Sequence, residues 1–199
     1  LAEGIIYDMF DQDKHVRPTV DRPYSQYYVS VDYGTQNPMT FGLWGFVPLP
    51  TKANPHEFES AWYKIREYHY DGRQKGRQKT DEEYYEDLEK FVGDIQPRAI
   101  IIDPSAASFI ALIRKKSRFA VRQARNDVLE GIRNMATALN TGRILYNDCC
   151  KETFREFASY VWDEKAAERG EERPIKQNDH QMDGDRYFVN TVVMRPAAI

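Results

Sequence analysis

Three aspartates stand out in the 199-residue sequence because of what surrounds them. Asp32 ends the aromatic and β-branched run QYYVSVD, Asp103 ends the apolar run RAIIID, and turn-forming residues follow each, Tyr33-Gly34 and Pro104-Ser105. Ligand sites of open α/β sheets lie beyond the carboxyl ends of strands, so adjacent strands would bring both carboxylates to one crevice edge. A third acid comes from residues 179–185, DHQMDGD, where His180 and Asp183 share one helical face and Asp185 points well away from Asp183. Either Asp183 or Asp185 can join the other two, but hardly both. Clustered carboxylates suit hard divalent cations such as Mg²⁺ and Mn²⁺, which prefer oxygen ligands. Two such ions about 4 Å apart can stabilise the attacking and leaving oxygens of an in-line phosphoryl displacement. That chemistry needs no covalent nucleophile, and no recognisable serine or cysteine nucleophile motif is present. Each residue also has an ordinary explanation. A lone Asp at a strand end is more often a turn-former or helix cap, His180 can be a satisfied helix-start histidine, and Asp179 or Asp183 can complement a helix dipole. Their joint placement is what sets them apart.

The elements that must position these residues follow from apolar periodicity. Gln26 to Asp32, Met39 to Val47 and Ala61 to Tyr70 have the β pattern, with turn residues between them, and predict an antiparallel meander. Thr80 with Glu83 predicts a capped helix carrying Tyr84, Leu88, Phe91 and Val92. The continuous run Arg98 to Asp103 predicts a central strand covered on both faces. A helix over Ser105 to Lys116, a short strand over Phe119 to Arg122 and a helix over Asn126 to Leu139 come next. Gly142 to Asn147 is expected to form a short hairpin arm, Lys151 to Trp162 a helix, Lys165 to Gln177 a charged and mobile stretch, and Asp179 to Met194 a final helix. The order predicts an α/β fold, a mixed sheet flanked by helices.

Composition narrows the function classes. The length suits one domain, residues 26–199, preceded by a linker or arm over residues 1–25 whose prolines and charges show no clear period. No apolar run approaches the roughly 20 residues of a membrane-spanning helix. The chain opens on Leu1 without an initiator methionine or a leader, as expected of a domain excised from something longer. Its two cysteines, Cys149 and Cys150, are adjacent, which disfavours a disulfide framework and fits a reducing cytoplasm. The net charge is -3, whereas free-standing DNA-binding domains are usually basic. Basic residues cluster locally, at Arg73, Lys75, Arg77 and Lys79 and again at Arg114, Lys115, Lys116 and Arg118. The first cluster is either a solvated hairpin tip or an arm that contacts DNA phosphates.

Several segments resemble, in order, the nuclease domain of the large terminase subunit of tailed double-stranded DNA phages. They are VSVDYGTQNPMTFGLWG, IIIDPSA, ARNDVLEGIRNM, GRILYND and DHQMDGDRYF, and they span most of Tyr27 to Val189. The opening EGIIYDMF resembles the passage joining the motor ATPase to the nuclease, and no Walker A sequence is present. A departure is Gly184-Asp185, where the family has a small residue and then an apolar one. The resemblance implies a ribonuclease H-like fold and two-metal cleavage of concatemeric phage DNA during genome packaging. Asp32, Asp103 and Asp183 match the family's three acids, and His180 matches a position that binds or orients a second metal. It further implies Mg²⁺ or Mn²⁺ as cofactor, and double-stranded DNA, the ATPase domain of the parent chain, the terminase small subunit and the portal as partners, in the host cytoplasm. Other ribonuclease H-like nucleases, a junction resolvase or a hybrid nuclease, share such acids, and a noncatalytic docking module of the motor is the alternative from another class.

Overall fold

The computed structural model describes residues 4–195. In chain order it holds α1 (Gln12–His15), β1 (Val16–Arg17), β2 (Gln26–Asp32), β3 (Met39–Val47), β4 (Ala61–Tyr70), α2 (Gly72–Lys75), α3 (Asp81–Val92), β5 (Ile100–Ile102) and α4 (Ala107–Lys116). After these come β6 (Val121–Gln123), α5 (Val128–Asn140), β7 (Ile144–Asn147), α6 (Lys151–Ser159), α7 (Glu164–Glu168) and α8 (His180–Phe188), which runs into a π-helical turn over Val189–Val193. Among the described residues no helix is long and apolar enough to cross a membrane.

The seven strands form one mixed sheet in the order β1-β7-β4-β3-β2-β5-β6. The meander β2-β3-β4 is antiparallel, as expected, while β5 and β6 run parallel to β2 on one side and β7 and β1 parallel to β4 on the other. Side chains alternate across the pleat, so each inner strand feeds two cores. Val29, Val31, Phe41, Leu43, Ile100 and Ile102 meet Tyr84 and Leu88 of α3 and Phe109 and Ile113 of α4. On the other face Tyr28, Trp44, Trp62 and Ile101 meet Met135 of α5, Phe157 of α6 and Phe188 of α8. Trp44 and Phe188 stack at 4.4 Å, which seats α8 on the middle of the sheet. The expected capping box closes α3, with Thr80 and Glu83 exchanging side-chain to backbone bonds.

Three expectations are corrected. Gly142 to Asn147 is no hairpin: β7 is a single buried strand inserted between β4 and β1, parallel to both. The helix after it ends at Ser159, because Val161 and Trp162 turn away to bridge Ile5 and Pro174. The charged stretch after it is tied down by α7, whose Asp163 cap accepts from Lys165 N and Ala166 N, and by the Trp162–Pro174 bridge. The opening arm lies along the domain: Ile6 N–H donates to Tyr160 O at 2.9 Å, Tyr7 is buried, and Phe10 stacks on Phe157 at 3.9 Å.

The helix α8 has a polar sequence and yet every residue from Gln181 to Phe188 is buried. Buried polar groups usually find partners, and the buried side-chain polar atoms of this helix do so with the exception of Arg186 Nε. The fully buried Lys64 of β4 donates to Asp185 Oδ1 at 2.6 Å, to Gln181 Oε1 at 2.9 Å and to Thr153 Oγ1 of α6 at 2.9 Å, using all three ammonium protons. Tyr146 of β7 donates to the other oxygen of Asp185 at 2.7 Å. Breaking one side of such a pair strands the other charge away from water. Lys64→Met should therefore cost about 3–5 kcal/mol in urea unfolding, and adding Asp185→Leu should recover a large part of that loss.

Candidate active site

Asp32 closes β2, and the parallel register pairs the preceding Val31 with Ile102, the last residue of β5. Asp103 is the next residue, so both carboxylates emerge at the same edge of the sheet, as expected of strand ends around a topological crevice. The helix α8 begins over this edge. Its His180 carbonyl accepts from Thr40 Oγ1 of β3 at 3.1 Å, and its ring Nδ1 lies 3.0 Å from Asp32 Oδ2. One turn later Asp183 joins Asp32 and His180 in the wall of a cleft of about 700 Å³. The helix α6 supplies Glu152, Arg155 and Glu156 to that wall, and Asp71 and Arg73 come from the end of β4 and the start of α2.

The structure separates residues that sequence alone left together. Asp185, the alternative third acid, is fully buried against Lys64 and Tyr146 and does not line the cleft. Asp103 stands at the neighbouring strand end but does not line the cleft either; its Oδ1 accepts from Ser105 N at 2.8 Å and its Oδ2 from Asn126 Nδ2 at 3.0 Å. Of the first basic cluster, Arg73 lines the cleft, Arg77 is paired with Glu83, and Lys79 is paired with Asp87 at 2.6 Å and lies over the Tyr70 ring. These residues are part of the short α2 turn and the segment after it, not of a hairpin tip.

Burial and crowding dominate the electrostatics. Burial pushes the Asp32 carboxyl up to about 6, against the hydrogen bond from His180, and the nearby charge of Asp183 adds to the rise. Asp183 is raised by burial and by Asp179, while Arg186 and Lys176 oppose the rise. Burial would lower His180, but its bond to Asp32 and the negative charges of Asp32, Asp179 and Glu156 together outweigh this and raise it. Asp103 is held below its ordinary value because its hydrogen bonds from Ser105 and Asn126 outweigh burial. Glu156 was not singled out in the sequence. Burial pushes it up to about 8, and its Oε1 accepts from Met182 N at 3.0 Å, the N-terminal cap that Asp179 does not supply to α8.

Among the described residues no three His, Cys, Asp or Glu side chains stand as a ready ligand cage. Protein cations hold the acids instead: Lys176 and Arg186 flank Asp183 at 3.2 Å and 3.3 Å. The donor chemistry nevertheless fits a hard divalent cation, because carboxylate oxygens and one imidazole crowd together at a cost that a cation would relieve. The sign of that cost can be measured. The folded pKa of Asp32 lies above its ordinary 3.8, so its ionisation destabilises the fold, with the penalty growing as pH rises from about 4 to 6. Without metal, Asp32→Asn should thus stabilise the protein by about 1–3 kcal/mol near pH 7.5 in urea unfolding, and the gain should fade toward about pH 4.

No family model and no curated protein matches the chain. Among solved structures, the large terminase from a thermophilic bacteriophage, in complex with ADP, is 66% identical over 98% of this chain and 46% of its own, with a TM-score of 0.90. The chain thus spans about half the length of that protein. The nuclease domain of the large terminase from bacteriophage SPP1, solved with bound Mn, is 16% identical over 86% of this chain and 92% of its own, with a TM-score of 0.58. The large terminase nuclease from thermophilic phage G20c, solved with bound magnesium, is 11% identical over 93% of this chain and 96% of its own, with a TM-score of 0.63. At such identities the likeness is one of fold, the mixed sheet flanked by helices that the element order predicts and that is ribonuclease H-like, as the resemblance implies. With two-thirds of its residues shared with the ADP-bound terminase over nearly its whole length, the chain is similar to somewhat less than half of a bacteriophage large terminase.

Proposed function

We propose that this chain is the DNA-cutting part of a phage packaging motor, a metal-dependent endonuclease that hydrolyses phosphodiester bonds of concatemeric double-stranded DNA. The observation that carries this reading is the meeting of Asp32, His180 and Asp183 in one cleft, beside the strand end that bears Asp103, in a chain this similar to a large terminase. Asp32, Asp103 and Asp183 would hold the divalent ions, with His180 binding or orienting at the Asp32 side. Bound Mn in the SPP1 domain and bound magnesium in the G20c domain support that choice of cofactor. When bound, the ions supply the Lewis acidity for an in-line displacement by water.

The chain's own residues do the positioning. His180 fixes one oxygen of Asp32 and leaves the other to the cleft. Ser105 and Asn126 fix the Asp103 carboxylate at the strand end. Glu156 anchors the first turn of α8 and Lys64 its middle, which sets the rotation that aims Asp183 into the cleft. Arg73, which lines the same cleft, would meet a phosphate there. With a net charge of -3 the chain lacks the general attraction for DNA that a free-standing nuclease would need. Partners therefore hold the substrate: the motor's ATPase domain, the small subunit and the portal, in the host cytoplasm. The similar terminase solved in complex with ADP is about twice this length, which supports the link to a nucleotide-driven motor.

Alanine at Asp32, Asp103 or Asp183 should abolish Mn²⁺-dependent plasmid degradation while circular dichroism stays native, and His180→Ala should lower it about 10- to 100-fold. Substantial cutting by Asp103→Ala would remove that residue from the set. In DNA binding measured across salt concentrations, Arg73→Ala should reduce the slope by about 1, while Arg77→Ala and Lys79→Ala, already paired within the protein, should change it less. Binding by Arg73→Ala that keeps the wild-type salt slope would take α2 out of the DNA path.

A further inference from the structure

The two oxygens of Asp183 are held by very different cations. Oδ1 lies 3.3 Å from Arg186 Nη2, whose side chain is 4% exposed and whose Nη1 donates to the carbonyls of Asn126 and Asp127 at 2.9 Å and 3.2 Å. That guanidinium is part of the packed interior and does not line the cleft. Oδ2 accepts from Lys176 Nζ at 3.2 Å, and the same nitrogen lies 3.0 Å from Asp179 Oδ2. The Lys176 side chain is 73% exposed, whereas those of Asp179 and Asp183 are 2% and 7% exposed. Of the two oxygens, the one the cleft can reach is thus covered by a cation that stands in solvent.

The backbone beside Lys176 is fixed independently of this contact. Ile175 N–H donates to Val161 O at 3.0 Å, Asp163 N–H donates to Arg173 O at 2.8 Å, and Pro174 bridges Trp162. Only the flexible four-carbon stem has to move for the ammonium to leave. Exposed ion pairs are weak and screened, and a divalent cation offers twice the charge and a direct preference for carboxylate oxygen. Arg186 has neither the exposure nor the freedom to make way.

We propose that Lys176 is a tethered counter-cation that a divalent ion must displace to reach Asp183, so that loading the site and releasing the Lys176 side chain are one event. The ammonium stabilises the acid pair while the ion is away and sets the concentration at which the ion takes over. This rests on the reading of Asp183 as a metal ligand, and the test separates the two.

Mn²⁺ binding to the intact chain can be followed by electron paramagnetic resonance of the free ion, without DNA or turnover. Lys176→Ala should bind Mn²⁺ about 3- to 5-fold more tightly than wild type, the scale of an exposed ion pair. Lys176→Arg, which keeps a cation on the tether, should stay near wild type. Arg155→Ala removes an equally exposed cleft cation that is paired with Glu152 instead of Asp183, and should leave binding unchanged. Unaltered affinity in Lys176→Ala would overturn the proposal, and so would equal tightening in Arg155→Ala, since any nearby positive charge would then act alike. Wild-type affinity in Asp183→Ala would instead overturn the ligand reading beneath it.

Discussion

The burial of a polar helix at the centre of the molecule is the constraint on which the rest depends. From Gln181 to Phe188, α8 has no solvent-facing side, yet it carries two aspartates, an arginine and a glutamine. A helix of that composition is costly to enclose unless its surroundings supply partners for its polar groups. They come from four elements, Lys64 on β4, Tyr146 on β7, Glu156 on α6 and the carbonyls ahead of α5 for Arg186 Nη1, and only Arg186 Nε is left buried without one. Gly131 of α5 serves the same end, because a Cβ there would stand 2.6 Å from Arg186 Cγ and deny that side chain its route to Asp183.

The site inherits its rigidity from this enclosure. Two aspartates two residues apart on α8 meet opposite fates: Asp185 is neutralised inside by Lys64, while Asp183 keeps one oxygen toward the cleft. The same helix presents His180 to Asp32, so the rotation fixed by the interior network also decides what the cleft contains. Preorganisation of this kind places charge where ions can use it without rearranging the backbone.

Much of the fold was legible in the sequence. The limits of β2, β3 and β4 agree with the β-branched and aromatic runs, Thr80 and Glu83 announced α3, and the run before Asp103 announced a covered strand. What stayed hidden were relations between distant residues. Nothing in GRILYND says that Ile144 pairs with Trp62 while Tyr146 pairs with Val16, and short strands carry little signal of their own. Lys64 reads as an ordinary polar residue in AWYKIREYHY because its partner Asp185 is 121 residues away. For α8 the apolar flank of Met182, Val189 and Val193 was visible, but periodicity cannot show that the polar flank is enclosed too. At the site, the ends of β2 and β5 could be aligned from pattern, whereas the engagement of Asp103 by Asn126 and the exclusion of Asp185 depend on packing.

The chain order of these elements has a consequence for folding. The meander β2-β3-β4 closes through local contacts, but the sheet is complete only when β7 enters between β4 and β1. The bond between Asp32 and His180 spans 148 residues, and α8 can settle only on a sheet and helices already in place. Such long-range closure is slow and comes late. Until α8 has settled, the first two acids therefore stand at neighbouring strand ends without His180 and Asp183. The complete arrangement is a property of the finished protein alone, so a partly made or partly unfolded copy carries the residues without it.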